Sequence, residues 1–154
     1  MVEEEKLARD VYLTFYEMYK MPIFKNIANS EKSHTIAIKY LLTKYSIPDP
    51  VVNDARGVFS NTELANLYNS LIEQGSASDI EALKVGALIE EIDILDIQNA
   101  LKNVDNNDII FVYNNLKRGS INHLTAFVKN LSFRGYDYQP VKLSKEEYDS
   151  YIRK

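Results

Sequence analysis

The sequence predicts an all-α protein: a four-helix bundle with one long crossover that carries a short fifth helix. Over four long stretches, apolar residues recur at steps of three and four, which is the period of a helix with one buried face. Glycine (5) and proline (4) are scarce among the 154 residues, so long helices meet few interruptions. No stretch alternates between polar and apolar residues as a half-buried strand would.

Breaking residues set the predicted bounds of the first two helices. Residues 3 to about 20 form the first helix, which Pro22 interrupts, because the residue before a proline avoids the helical region. The second helix starts near Phe24 or Asn29 and runs to Tyr45. These two helices are predicted to form one hairpin.

The crossover and the third long helix are predicted from capping residues. Residues 46–59 show no clear period and are expected to form a loop. A capping box at Ser60 opens the short helix, which runs to about Gln74. A second capping box at Ser78 starts a long helix that runs to about Val104.

The last long helix is expected over residues 107–132, after a cluster of turn-forming Asp and Asn residues. Ser144 is expected to cap a short, charged helix near the end of the chain. We therefore expect residues 1–132 to form the bundle and residues 133–154 to form an extension with a short helix.

Composition limits the partners of the protein. Without cysteine, the chain has no thiolate metal site and no disulfide. A net charge of −4 without a basic cluster argues against nucleic acid as the main partner. No apolar run reaches membrane-spanning length, and residues 1–6 lack the features of a signal peptide. A cytoplasmic location is the expectation, and a homodimer is left open.

One polar pair interrupts the apolar face of the second helix. Glu31 and His34 are three residues apart, so they share that face. Burying a carboxylate and an imidazole costs free energy unless something pairs with them. Glu-x-x-His is the inward-facing unit of two-metal helix bundles, although a hydrogen-bonded pair in the core explains it equally well.

The third and fourth long helices offer polar residues at matching heights. Glu90 lies in the middle of one apolar stripe, and His123 lies on the other, three residues after Ser120. Counted from the turn that joins these helices, Glu90 is level with Ser120 and His123 at about 1.5 Å per residue. Polar residues that coincide in height across a hairpin indicate a site.

On the first helix the candidate is Glu5, with Glu4 in reserve. Acids in a first turn also complement the helix dipole while they stay in water. In a plain hairpin, Glu5 and Glu31 would differ in height by about 12 Å. We expect them to meet only if part of residues 22–29 is extended and runs back along the first helix.

The run from Glu5 to Tyr12 resembles the first-helix motif of rubrerythrin-like and ferritin-like proteins, and Glu31-x-x-His34 resembles their second-helix motif. The wider pattern is similar to an uncharacterised ferritin-like family. It comprises Glu-Glu-Glu-Lys-Leu-Ala-Arg-Asp-Val-Tyr at 3–12, Ser-Glu-x-x-His at 30–34, Glu-Glu-Ile-Asp-Ile at 90–94 and Gly-Ser-Ile-Asn-His-Leu at 119–124. The resemblance covers nearly residues 3–132 and implies a metal centre of carboxylates and histidines between the helices.

The sequence departs from that pattern at Ser120, where the fourth helix should carry a bridging glutamate. Ser120 or water then fills the gap, or Glu91 or Asp93 moves in, or only one ion binds tightly. Taken by position alone, Asp93 and Asp96 lie off the Glu90 stripe and are expected in solvent.

These observations favour a ferritin-like metal-binding protein, with iron ahead of manganese or zinc because the ligands are carboxylates and imidazoles. Its chemistry would be oxidation of Fe(II) by dioxygen or peroxide, as in a di-iron-type oxidoreductase. The alternative is a non-catalytic structural or interaction module with a buried Glu/His polar network, and a mononuclear zinc hydrolase ranks below both. The proposed ligands are Glu5, Glu31, His34, Glu90 and His123.

Overall fold

The computed structural model describes residues 1–152, which form six α-helices and no strand. The all-α prediction is therefore confirmed. The helices are α1 (Val2–Tyr19), α2 (Pro22–Lys44), α3 (Thr62–Gly75), α4 (Asp79–Leu101), α5 (Asn107–Phe133) and α6 (Lys145–Ile152). None of these helices is long and apolar enough to cross a membrane.

The chain divides into two compact units, one from Met1 to Ala77 and one that begins at Ser78. In the first unit, α1 packs against α2 and α3. In the second unit, α4 packs along α5, and α6 contacts α5. The four-helix bundle, and its predicted boundary between residues 132 and 133, stay predictions.

The connection between α1 and α2 is shorter than predicted. Lys20 adopts a left-handed conformation (φ 56°) and Met21 is extended, after which α2 starts at once with Pro22 in its first turn. Proline fits there because the first amide groups of a helix have no intrahelical partner. Residues 22–29 are helical, so the condition that part of them be extended for Glu5 and Glu31 to meet is not fulfilled.

The cap of α3 also differs from the prediction. Asn61, and not Ser60, is the N-cap: its Oδ1 accepts hydrogen bonds from the amides of Glu63 (2.8 Å) and Leu64 (3.4 Å). The amide of Ser60 instead donates to Glu3 Oε1 at 2.6 Å. This contact holds Ser60 outside the helix and leaves the next residue to cap it.

The two other predicted caps are present. The Ser78 hydroxyl accepts from the amide of Glu81 at 3.1 Å, and Ser144 accepts from the amide of Glu147 at 3.2 Å. The helix that Ser78 opens ends at Leu101, earlier than predicted.

A buried ion pair on α1 holds the crossover loop. Lys6 and Asp10 are each 1% exposed, and Lys6 Nζ lies 2.6 Å from Asp10 Oδ2. Lys6 also donates to the carbonyl of Ala55 at 2.9 Å and lies over the ring of Phe59. The amide of Gly57 donates to Asp10 at 3.0 Å. One face of α1 is thus occupied by charges that fix the loop.

Two glycines allow close contact between helices. A Cβ added to Gly75 at the end of α3 would lie 2.1 Å from the Phe15 ring of α1. A Cβ added to Gly86 of α4 would lie 2.5 Å from the Phe127 ring of α5. In each unit a phenyl ring therefore occupies the space of a missing side chain.

Candidate metal centre

The first unit brings together three of the predicted ligands from α1 and α2. His34 Nδ1 lies 3.1 Å from Glu5 Oε2 and 2.8 Å from Glu31 Oε2. Glu31 reaches His34 on its own helix because residues three apart share a face. Glu5 reaches His34 across the α1–α2 hairpin.

The height difference that argued against this meeting was overestimated. Because α1 ends at Tyr19 and α2 starts at Pro22, Glu5 lies 14 residues before one end and His34 lies 12 residues after the other. These two residues then differ in height by about 3 Å, and Glu5 and Glu31, for which about 12 Å was expected, differ by about 7.5 Å. Extended side chains cover that distance without an extended segment in residues 22–29.

Burial sets the electrostatics of this cluster. Glu5 is 1% exposed and Glu31 is 0% exposed. Burial, together with the charge of Glu31, raises the pKa of Glu5 to about 8, although the hydrogen bond from His34 opposes the rise. Burial also disfavours charge on His34, but its hydrogen bonds to Glu31 and Glu5 outweigh this and raise its pKa to about 10. The cluster therefore retains protons near neutral pH.

The donor set fits a metal ion. Glu5, Glu31 and His34 each offer one ligand atom, and these atoms lie within 4.8 Å of one another. Atoms that bind one transition-metal ion at about 2.0–2.2 Å are separated by about 4.4 Å at most. The distances from His34 Nδ1 to Glu5 (3.1 Å) and to Glu31 (2.8 Å) lie inside that limit. Carboxylates and an imidazole suit iron, manganese or zinc.

The second unit contains the other predicted pair. Glu90 on α4 and His123 on α5 are both buried, and His123 Nδ1 lies 3.4 Å from Glu90 Oε2. Ser120 is also buried, but its hydroxyl donates to the carbonyl of Leu116 at 3.3 Å. That contact within α5 occupies the hydroxyl proton of the residue that replaces the expected glutamate.

The structure also places the reserve ligands, and one of them differs from the expectation. Glu4 forms an ion pair with the amino group of Met1, whereas Glu5 contacts His34. Asp93 is buried, at 7% exposure, so its expected place in solvent is wrong. Helix α4 has buried residues on most of its sides, so a position off the Glu90 stripe is still enclosed. Asp96 is exposed, as expected.

Glu91 has a role that the sequence did not reveal. Its carboxylate accepts hydrogen bonds from the Tyr138 hydroxyl (2.7 Å) and from the backbone amides of Val141, Lys142 and Leu143 (3.0, 2.7 and 2.8 Å to the nearer oxygen). The segment between α5 and α6 is therefore fastened to α4 by one buried acid. A second acid directly after Glu90 on a buried helix was the only signal available.

Comparisons with known proteins identify relatives of this chain. A family model described as "Uncharacterized protein domain (DUF2202)" matches residues 1–154. The uncharacterized protein MJ0754 of Methanocaldococcus jannaschii is 57% identical over 152 residues, which are 99% of this chain and 82% of that protein. The crystal structure of the hypothetical protein MJ0754 from Methanococcus jannaschii has a TM-score of 0.98 at 56% identity, and the match covers 100% of this chain and 88% of that one.

Proposed function

We propose that this chain, which belongs to the DUF2202 family, binds a transition-metal ion through Glu5, Glu31 and His34. The observation that carries the proposal is the convergence of one ligand atom from each residue within 4.8 Å. These residues come from two helices of the first unit, and both carboxylates are buried. A metal ion bound here would displace the protons that the cluster holds and would offset the free energy lost on burial of the two carboxylates.

Iron is the proposed ion, with manganese and zinc as alternatives, because the ligands are oxygen and nitrogen atoms without sulfur. When bound, iron would supply oxidation–reduction chemistry with dioxygen or peroxide. The two carboxylates contribute negative charge, which favours the higher oxidation state, and His34 contributes a neutral ligand once its proton has left. Burial of Glu5 and Glu31 limits the access of water to the ion.

Glu90 and His123 are proposed as further ligands because they form a second buried carboxylate–imidazole pair. That all five residues serve one centre stays a prediction from the sequence. Metal stoichiometry tests it: Glu90→Gln should lower the amount of metal bound if Glu90 is a ligand, and leave it unchanged otherwise.

The test is metal retention after anaerobic loading with Fe(II), followed by gel filtration and elemental analysis. Glu5→Gln and His34→Gln should each lower the metal content by about tenfold or more, as loss of a ligand does. Glu4→Gln is the matched control, since it removes a neighbouring acid that pairs with Met1, and it should bind like the wild type. Equally low metal in all four proteins would reject the proposal.

The second candidate is a structural module, and one observation favours it. His34 Nδ1 hydrogen-bonds Glu5 and lies 2.8 Å from Glu31 Oε2, so the three side chains already form a polar network that would fix the α1–α2 register. Thermal unfolding of the purified protein with and without a chelator separates the two candidates. A metal protein loses stability when it is stripped, because ligand binding stabilises the folded state, whereas a network of side chains does not respond.

A further inference from the structure

Helix α5 has an unusual charge pattern on its outer side. The chain contains 22 Asp and Glu residues, yet none lies between Ile109 and Phe133. Over the same stretch Lys117, Arg118 and Lys129 supply positive charge. Arg118 and Lys129, eleven residues apart, lie on the side of α5 opposite to its buried residues, and Lys117 lies next to Arg118 at the edge of that outer side.

These three cations line a groove of about 480 Å³ between α5 and the end of α6, within the second unit. The volume lies in the range of small-molecule sites, about 300–1,000 Å³. None of the described residues that line the groove is an acid. Within residues 1–152, none of the three cations forms an ion pair; Arg118 donates only to the side chain of Asn115. Their charge is therefore directed at solvent or at a ligand.

The groove also offers neutral donors and an apolar wall. Tyr151 accepts a hydrogen bond from Gln98 Nε2 at 3.1 Å, so its own hydroxyl proton is available to a ligand. Asn122 presents a side-chain amide on the same surface. Ile121 and Ile152 supply apolar area beside these groups. Such a mixture is typical of sites for organic molecules rather than for bare ions.

We propose that this groove binds a small organic phosphate that carries at least two negative charges. The Arg118 guanidinium provides the planar fork that suits phosphate oxygens, and Lys117 adds a point charge beside it. Lys129 lies 12 residues further along α5, about 18 Å along the axis, and serves a second anionic group at the far end of the ligand. The isoleucines and Tyr151 contact the organic part between them.

The experiment is calorimetric titration of metal-stripped protein with ATP, with inorganic pyrophosphate and with a single-stranded RNA oligonucleotide, at physiological salt and without divalent metal. The variant Lys117→Ala/Arg118→Ala removes two cations of the groove. The variant Lys102→Ala/Lys142→Ala removes two positive charges from the same unit away from the groove and is its control. All positions are on the surface or half-buried, and circular dichroism confirms that both variants fold.

The proposal expects that ATP binds the wild type at one site. It also expects that the groove variant loses at least about tenfold in affinity and the control less than about twofold. Three results would overturn it: no binding of ATP or pyrophosphate at millimolar concentration, an equal loss in both double variants, or a single-stranded RNA that binds at least tenfold more tightly than ATP through the same residues. The second result indicates general charge attraction, and the third indicates a nucleic-acid surface. Because the metal ligands are not involved, failure here leaves the metal proposal intact, and the converse holds as well.

Discussion

Replacing Glu91 tests how a buried acid is stabilised by neutral hydrogen-bond donors, since no ion pair joins it to a basic residue within residues 1–152. Its two oxygens accept hydrogen bonds from the Tyr138 hydroxyl and from three consecutive backbone amides, those of residues 141–143. Glu91→Ala leaves all four donors without this acceptor. An unsatisfied buried donor costs about 1–3 kcal/mol, and water reaches the amides of the exposed residues 141 and 142. We expect the free energy of unfolding to fall by about 3–4 kcal/mol.

Glu91→Gln should be much milder for a geometric reason. The Oε2 atom accepts from the amides of Lys142 and Leu143, whereas Oε1 faces the Tyr138 hydroxyl. A glutamine that keeps its oxygen at the Oε2 position places its NH₂ group against that hydroxyl, which can rotate to accept instead of donate. What is lost is mainly the negative charge, so we expect a cost of about 1–2 kcal/mol.

Urea unfolding followed by circular dichroism measures both variants, with Tyr138→Phe as the control that removes one donor and leaves the amides satisfied. The expected order of destabilisation is Glu91→Ala, then Glu91→Gln, then Tyr138→Phe at about 1 kcal/mol. A Glu91→Ala protein within 1 kcal/mol of the wild type would refute the reasoning. So would a glutamine variant as unstable as the alanine variant.

Three further predictions follow from contacts within the units. Gly86→Ala should lower the free energy of unfolding in urea by about 1–3 kcal/mol, because its Cβ would lie 2.5 Å from the Phe127 ring. Adding Phe127→Leu should recover part of the loss, and no recovery would exclude the clash as its cause. Lys6→Met should cost about 1–3 kcal/mol, since Asp10 loses its lysine but keeps its contact with Arg9. Asp10→Asn in the same protein should make the double loss smaller than the sum, and additive losses would show that the pair is not coupled. In the metal-free protein, the free energy of unfolding should fall by about 2–4 kcal/mol between pH 7 and pH 9. The pKa of His34 in the folded protein is raised to about 10. The stabilisation that protonated His34 contributes is therefore complete below the unfolded pKa of about 6.5 and is lost as the pH rises towards 10. His34→Gln should make the stability less dependent on pH, and an equal slope in both proteins would contradict an origin in His34.

The helices could be predicted because their signals are local. Periodic apolar residues and capping serines act over one turn, and they placed the starts of α4 and α6 at Ser78 and Ser144. Ser60 is not the cap, because its amide is bound to Glu3, 57 positions away, and its hydroxyl donates to the carbonyl of Pro50. No pattern near Ser60 records that contact.

Glu91 shows the same limit more clearly. Its partners are backbone amides about 50 residues away, and an amide group is the same in every residue except proline. The sequence therefore contains no partner for Glu91 that a reader could recognise. A buried acid paired with lysine, as Asp10 is, leaves at least a complementary charge to find.

In the candidate site, too, contacts between residues close in the sequence could be predicted and contacts between distant residues could not. Glu31 and His34 share a face as soon as α2 is a helix, because the spacing of three fixes their contact. The contact between Glu5 and His34 depends on where α1 ends and α2 begins, and an error of a few residues there moved the two apart by several ångströms. Once Lys20 and Met21 are the whole connection, two regular helices suffice to bring Glu5 to His34. The contact between Glu5 and His34 thus depends on the length of the turn between α1 and α2. Lengthening that turn is expected to separate Glu5 from His34 while both helices remain intact.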